Sequence, residues 1–316
     1  MARSTHLARD ARVRLSIVLV LASCSTASTS REGPSPDAAL PADAAGDDAA
    51  APVKGCTGKT TPPRDATWTI GGRKVRVHVP ASYDPTVATP VVLDIHGFGD
   101  DGEDQARISK VIARSDAAGF IAIHPDGHHS PRGGNAGVCC GSAASSGTDD
   151  TAWIASVLDE VESQLCVDPD RVFAMGLSNG AFMTYRLACE LADRIAAIGA
   201  VAGVVGISQC TPSRPVPVFH VHGTSDFVIP YGGGGFHGNE SFATTIARFT
   251  ARNGCTAAPV TTFEDGDATC VTRGGCTNGA DVVLCTIDGG GHAWPHDDLD
   301  ATASIWQFFA AHPRSP

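Results

Sequence analysis

Apolar positions along this chain switch between two periods, and the switches mark out its elements. Residues 67–70 and 74–79 flank Gly71-Gly72, with Val75, Val77 and Val79 alternating against Arg76 and His78. That pattern predicts a β-hairpin at a sheet edge. Continuous apolar runs at 90–95, 120–123, 172–177, 216–221 and 281–287 predict strands covered on both faces, as in a parallel sheet. Helical spacing governs the stretches between them. It predicts helices over 105–118, over 150–165 on Trp153, Ile154, Val157, Leu158, Val161 and Leu165, and onward from residue 181 through Tyr185, Leu187 and Leu191. Two more are expected at 242–249 and 303–311, while Asp149 or Asp150 is placed to cap the second helix. The run of small apolar residues at 195–205 is read as strand and loop, because a membrane span needs about 20 residues. Strands and helices therefore alternate over most of the chain, the mark of an α/β domain with a mostly parallel sheet and helices on both faces. No internal repeat is visible.

Neither pattern holds at the amino terminus. Arg3, Arg9, Arg12 and Arg14 precede a short apolar run at 15–22, the layout of an export signal over residues 1–23. Leu21-Ala22-Ser23-Cys24 resembles a bacterial lipobox, which would make Cys24 the lipidated first residue of the mature chain; cleavage near Ala22 or Ala27 is the alternative. Residues 24–55 are mostly Ser, Thr, Ala, Pro and Asp, too poor in bulky apolar groups to offset the entropy of ordering, and read as a flexible tether. The folded body is expected over 56–316.

Composition narrows the function classes. With 316 residues, 42% of them hydrophobic, the chain can bury one large core. A formal net charge of −11 with no basic cluster in the body argues against nucleic acid as a partner, and any membrane attachment is expected only through a lipid on Cys24. Eleven cysteines leave an even ten once Cys24 is set aside, which in an exported chain points to disulfides rather than metal. Cys255, Cys270, Cys276 and Cys285 are expected to pair among themselves and Cys189 with Cys210. Adjacent Cys139 and Cys140 are expected not to pair with each other, since ordinary disulfide geometry disfavours it, so one of them should pin the 133–147 loop elsewhere.

The chemistry centres on Gly176-Leu177-Ser178-Asn179-Gly180, where a buried strand runs through Gly-x-Ser-x-Gly directly into a helix-forming run. Such a turn strains the serine backbone and needs glycines on either side so that strand and helix can approach. A serine hydroxyl becomes a nucleophile when a histidine takes its proton and a carboxylate orients that histidine. Asp226 is the preferred acid, in His222-Gly223-Thr224-Ser225-Asp226 at the end of a buried strand; Asp265, Asp267 and Asp288 are rivals. His292 is the preferred base, following Gly289-Gly290-Gly291, with His296 its nearest competitor. Backbone amides of Asn179 and of Phe98, in His96-Gly97-Phe98-Gly99, are candidate oxyanion donors, and Phe98 and Trp294 candidate pocket walls. His124, His128 and His129 cluster around Pro125-Asp126-Gly127 but lack a zinc-ligand spacing, so no metal is expected.

Taken jointly, several stretches resemble the polyhydroxybutyrate depolymerase-like esterases, a family that also holds feruloyl and acetylxylan esterases. They are 93–97, Pro125-Asp126-Gly127, Cys139-Cys140-Gly141, Asp149-Asp150, Cys166-Val167-Asp168, 176–180 with Leu187-Ala188-Cys189, 222–226 and 289–295. The chain departs from the family where Ala181 follows Gly180 in place of a second glycine. The resemblance implies an α/β-hydrolase fold, an exported enzyme without cofactor, the triad Ser178, Asp226 and His292, and an ester as substrate: feruloyl or related polysaccharide esters first, hydroxyalkanoate oligomers second. Rival readings of the same residues are a non-catalytic binding protein on a hydrolase scaffold and a peptidase.

Overall fold

The computed structural model describes residues 55–235 and 238–314. The expected export signal, Cys24 and all of the tether but Gly55 lie outside the described residues. Among the described residues no helix is long and apolar enough to cross a membrane.

In chain order the elements are β1 (Asp65–Ile70), β2 (Arg73–His78), β3 (Thr89–Ile95), α1 (Gly102–Ser109), α2 (Val111–Ala118), β4 (Ile121–Pro125), α3 (Gly141–Ser146), α4 (Asp150–Gln164), β5 (Val167–Leu177), α5 (Asn179–Glu190), β6 (Ile198–Val201), β7 (Val218–Gly223), α6 (Phe242–Arg252), β8 (Val260–Asp265), β9 (Ala268–Arg273), β10 (Val282–Ile287) and α7 (Ala301–Ala311). All ten strands form one sheet in the order β1-β2-β4-β3-β5-β6-β7-β10-β9-β8. The central strands from β4 to β10 run parallel. Antiparallel pairs close each edge, β1 with β2 on one side and β8 with β9 on the other.

Continuous apolar runs are what a sheet covered on both faces requires, and alternate residues of each strand enter different cores. Val91, Leu93, Val172 and Ala174 pack with Leu158 of α4 and Phe182 and Tyr185 of α5. Val92, Phe173 and Met175 point the other way, against Ile305, Phe308 and Phe309 of α7.

Three expectations are corrected here. The helix anticipated over 105–118 is two helices, broken at Lys110, whose φ of 56° puts it in the left-handed region. Buried Asp94 of β3 accepts from Gln105 Nε2 (2.7 Å) and Ser109 Oγ (2.6 Å), which holds α1 against the sheet while α2 turns Val111 into the second core. The sequence predicts no element between 249 and 281, yet β8 and β9 form a hairpin there, with Asp265 and Asp267 at its turn. The third correction concerns the disulfides. Cys189–Cys210, Cys255–Cys276 and Cys270–Cys285 pair as expected, whereas Cys139 and Cys140 bond to each other across a cis peptide. Their most obvious outside partner is taken, because Cys56 bonds Cys166 across 110 residues.

Candidate active site

The turn from β5 into α5 holds Ser178 at φ 55° and ψ −118°, a conformation that costs an L-residue of order 1–3 kcal/mol and persists only when its surroundings impose it. Here they do. A Cβ on Gly176 would lie 2.7 Å from the Gly180 carbonyl carbon and from the Ile95 carbonyl oxygen, and one on Gly180 would overlap that same Ile95 oxygen. The Ser178 amide donates to Val201 O (2.9 Å), tying the turn to β6. Ala181 is fully buried and faces Gly203, whose missing side chain leaves it room.

The candidate acid and base come from the ends of neighbouring strands. Asp226 follows β7 and His292 follows β10, its parallel neighbour, and His292 Nδ1–H donates to Asp226 Oδ2 at 2.8 Å. Asp226 Oδ1 accepts from the amides of Val228 (2.9 Å) and Ile229 (2.8 Å), which fixes the carboxylate plane. Burial alone would push the Asp226 carboxyl up, but the N–H groups of His222, His292 and Ile229 outweigh it and hold it well below the usual carboxylate range. Asp226 is therefore a buried anion facing an imidazole. Ser178 Oγ and His292 Nε2 make no hydrogen bond with each other; His292 is partly exposed on its glycine-rich loop, and contacts of this kind commonly tighten only when substrate is bound.

The loop after β3 lies against the serine: a Cβ on Gly97 would meet Ser178 Cβ at 3.6 Å. His96 shapes this loop, its Nδ1–H donating to Gly97 O (2.6 Å) and its Nε2 accepting from the Gly127 amide (2.7 Å). The amides of Phe98 and Asn179 have no acceptor among the described residues, so both are free to donate. The Phe98 ring covers Gly133 and Gly141 and remains 42% exposed.

Sequence reasoning missed what the Asn179 and Asp150 side chains do. Asn179 Oδ1 accepts from the Gly134 amide (2.7 Å) and its Nδ2–H donates to Gly134 O (2.9 Å), clamping the 133–141 loop to the turn. Asp149 is the cap of α4, whereas Asp150 is buried, accepts from the Asn135 amide (2.5 Å) and pairs with Arg73. This anchoring replaces the disulfide pin expected for that loop. A second acidic residue beside a helix start was the available signal.

The remaining candidates fall elsewhere. Trp294 is buried, with Nε1–H donating to Thr302 Oγ1 (3.0 Å), so its ring fills the core beside α7 instead of forming an open wall. His296 Nε2–H donates to Ile108 O (2.8 Å). Asp288 accepts from Thr224, and Asp265 and Asp267 sit at the β8–β9 turn. His124 is buried near Asp94 (3.3 Å) while His128 and His129 contact each other, and among the described residues no three potential ligands gather as a metal site.

Strand order, strand-turn-helix geometry and the crossing of β5 into α5 define an α/β-hydrolase. A family model described as phospholipase/carboxylesterase matches residues 81–239, and the chain belongs to that family. It is 33% identical over 241 residues to feruloyl esterase B of Piromyces equi, covering 70% of this chain but 42% of the relative. It is 30% identical over 254 residues to probable feruloyl esterase C of Aspergillus clavatus, covering 77% of this chain and 85% of the relative. Among solved structures, the acetyl xylan esterase from Aspergillus awamori shares the fold with a TM-score of 0.60 at 16% identity, over 78% of this chain and 98% of that one.

Proposed function

We propose that this chain is an exported carboxylic-ester hydrolase working through a Ser178–His292–Asp226 triad and an acyl-enzyme. Ser178 Oγ attacks the ester carbonyl as His292 Nε2 takes its proton. The amides of Asn179 and Phe98 hold the developing oxyanion. His292 then returns the proton to the departing alcohol, and a water activated by the same imidazole releases the acid. The observation that carries this reading is the strained Ser178 at the β5–α5 turn on the same sheet edge as the bonded Asp226–His292 pair.

Feruloyl or related polysaccharide esters are the proposed substrates, a choice supported by the printed names of the relatives above. An apolar rim fits an aromatic acyl group: Phe98 after β3 is joined by Phe227 (92% exposed) and Val228 (57%) in the loop after β7. Residues 56–316 form the proposed catalytic domain, with 1–23 as export signal and 24–55 as a tether from lipidated Cys24.

Turnover of 4-nitrophenyl acetate and methyl ferulate tests the reading. Ser178→Ala is expected to lower kcat by at least about a thousandfold with the circular dichroism spectrum unchanged. Full activity in that variant, or no turnover of any ester by wild type, would leave a binding role as the better description. A hydroxybutyryl trimer in the same panel separates depolymerisation of polyester from action on aromatic esters.

A further inference from the structure

Behind Asp226 lies a line of buried polar side chains that the triad chemistry does not use. Tyr185 on α5 and His220 on β7 are wholly buried, and His222 and Asp226 nearly so. Tyr185 Oη lies 2.6 Å from His220 Nδ1, His220 Nε2 lies 3.1 Å from His222 Nδ1, and His222 Nε2 lies 2.9 Å from Ile229 O and 3.4 Å from Asp226 Oδ2. We propose that His222 is a positioning residue for Asp226, held in its donating tautomer by a hydrogen-bond relay that starts at Tyr185 and passes through His220. The proposal rests on the triad reading above and adds residues to it.

Protons in this line have one consistent arrangement. Ile229 O can only accept, so His222 Nε2 carries a hydrogen. His222 Nδ1 then serves as the acceptor, which requires His220 Nε2–H as donor. His220 in turn accepts at Nδ1, and the Tyr185 hydroxyl supplies that hydrogen. Reversing the line would leave the buried Tyr185 proton with no acceptor, at a cost of about 1–3 kcal/mol. Burial, helped by the neighbouring His222, holds His220 well below the usual histidine range, and burial raises Tyr185 well above the usual tyrosine range, so both stay neutral.

The line ends on the acid in two ways. Its last N–H closes the 226–229 loop by bonding Ile229 O, while the Ile229 amide bonds Asp226 Oδ1. That same N–H presents its positive end to Oδ2, the oxygen that accepts from His292. His222 thus spreads the carboxylate charge and lessens its pull on the His292 proton. Other titratable groups around the relay are Tyr231, whose ring meets His222 edge-on, and Glu240, which acts on Tyr185 by charge and is paired with Arg248.

The test is the pH dependence of kcat/KM for 4-nitrophenyl acetate. Without the His222 N–H, the bare carboxylate holds the His292 proton more firmly, so the acid limb of His222→Phe is expected to move up by about one pH unit. Activity should fall about tenfold below the limb and much less above it. His222→Gln, which keeps an N–H donor at the end of the side chain, should return the limb toward wild type. Tyr185→Phe, which frees the His220 tautomer, should move it the same way by less. An equal loss at every pH in His222→Phe, unrescued by Gln, would mean that His222 only fills space and would overturn the proposal. Should His222→Phe fail to fold, 15N NMR of wild-type histidines decides: His220 and His222 are each expected to carry a hydrogen at Nε2 and to accept at Nδ1, and an Nδ1–H tautomer at either would overturn it. Ser178→Ala, run alongside, separates the two ideas. If it retains activity the triad fails, whereas an unmoved His222→Phe limb with an inactive Ser178→Ala removes only the relay.

Discussion

Asp226 contributes to stability with a pH dependence that can be worked out. Its folded carboxyl titrates below the unfolded value of about 3.9, so it contributes stability that is complete above that value and is lost as pH falls through the folded one. Asp226→Asn should therefore be less stable than wild type at neutral pH, with the gap closing below about pH 4. Urea melts across a pH series check this. Lys110 offers an opposite case. Its φ of 56° disfavours a side chain, and Lys110→Gly is expected to raise stability by about 0.5 kcal/mol after glycine's entropy cost is subtracted, read as a small increase in the urea midpoint. At this scale much of the candidate site was legible, because Gly-x-Ser-x-Gly, His-Gly-Thr-Ser-Asp and Gly-Gly-Gly-His each join a candidate chemical group to the backbone freedom it needs. Trp294 was not. An aromatic residue two positions after His292 reads equally as wall or core, and only the position of Thr302 decides.

Elements were read best where burial imposes a period. The central strands and α4, α5 and α7 are apolar because they are covered, and their patterns say so. β8 is exposed along its whole length, so Val260-Thr261-Thr262-Phe263-Glu264-Asp265 shows no buried face to detect. The α1–α2 break was hidden for another reason: it depends on Asp94, buried on a different element, drawing Gln105 and Ser109 inward. At the β5–α5 turn, Gly180→Ala would drive a methyl group into the Ile95 carbonyl. A loss of about 2–3 kcal/mol is expected, of the kind seen for overpacked cores, together with a fall in kcat because Ser178 shifts with α5. Thermal unfolding and ester turnover measured on the same preparation test both parts.

Among the described residues, five disulfides divide into bonds that close a length of chain and one that does not. Cys56–Cys166 spans 110 residues, and replacing both by alanine is expected to cost about 3–5 kcal/mol from the entropy returned to the unfolded chain. The Cys139→Ala/Cys140→Ala pair, which opens a closure of one residue, should cost far less in guanidinium unfolding. Eleven cysteines, an even ten once Cys24 is set aside, made a disulfide framework legible, but the pairing of Cys56 with Cys166 across 110 residues depends on the path of the chain, which spacing does not encode.

The Ile95 oxygen seated on Gly180 has an implication for how such a protein can change. Main-chain atoms set the approach of α5 to the end of β3, so on the proposed reading the place of the hydroxyl relative to the Phe98 loop is fixed by backbone. Under the proposed function, substitutions in the loops carrying Phe227 and residues 133–147 would then alter which acyl groups are accepted without moving the groups proposed to break the bond.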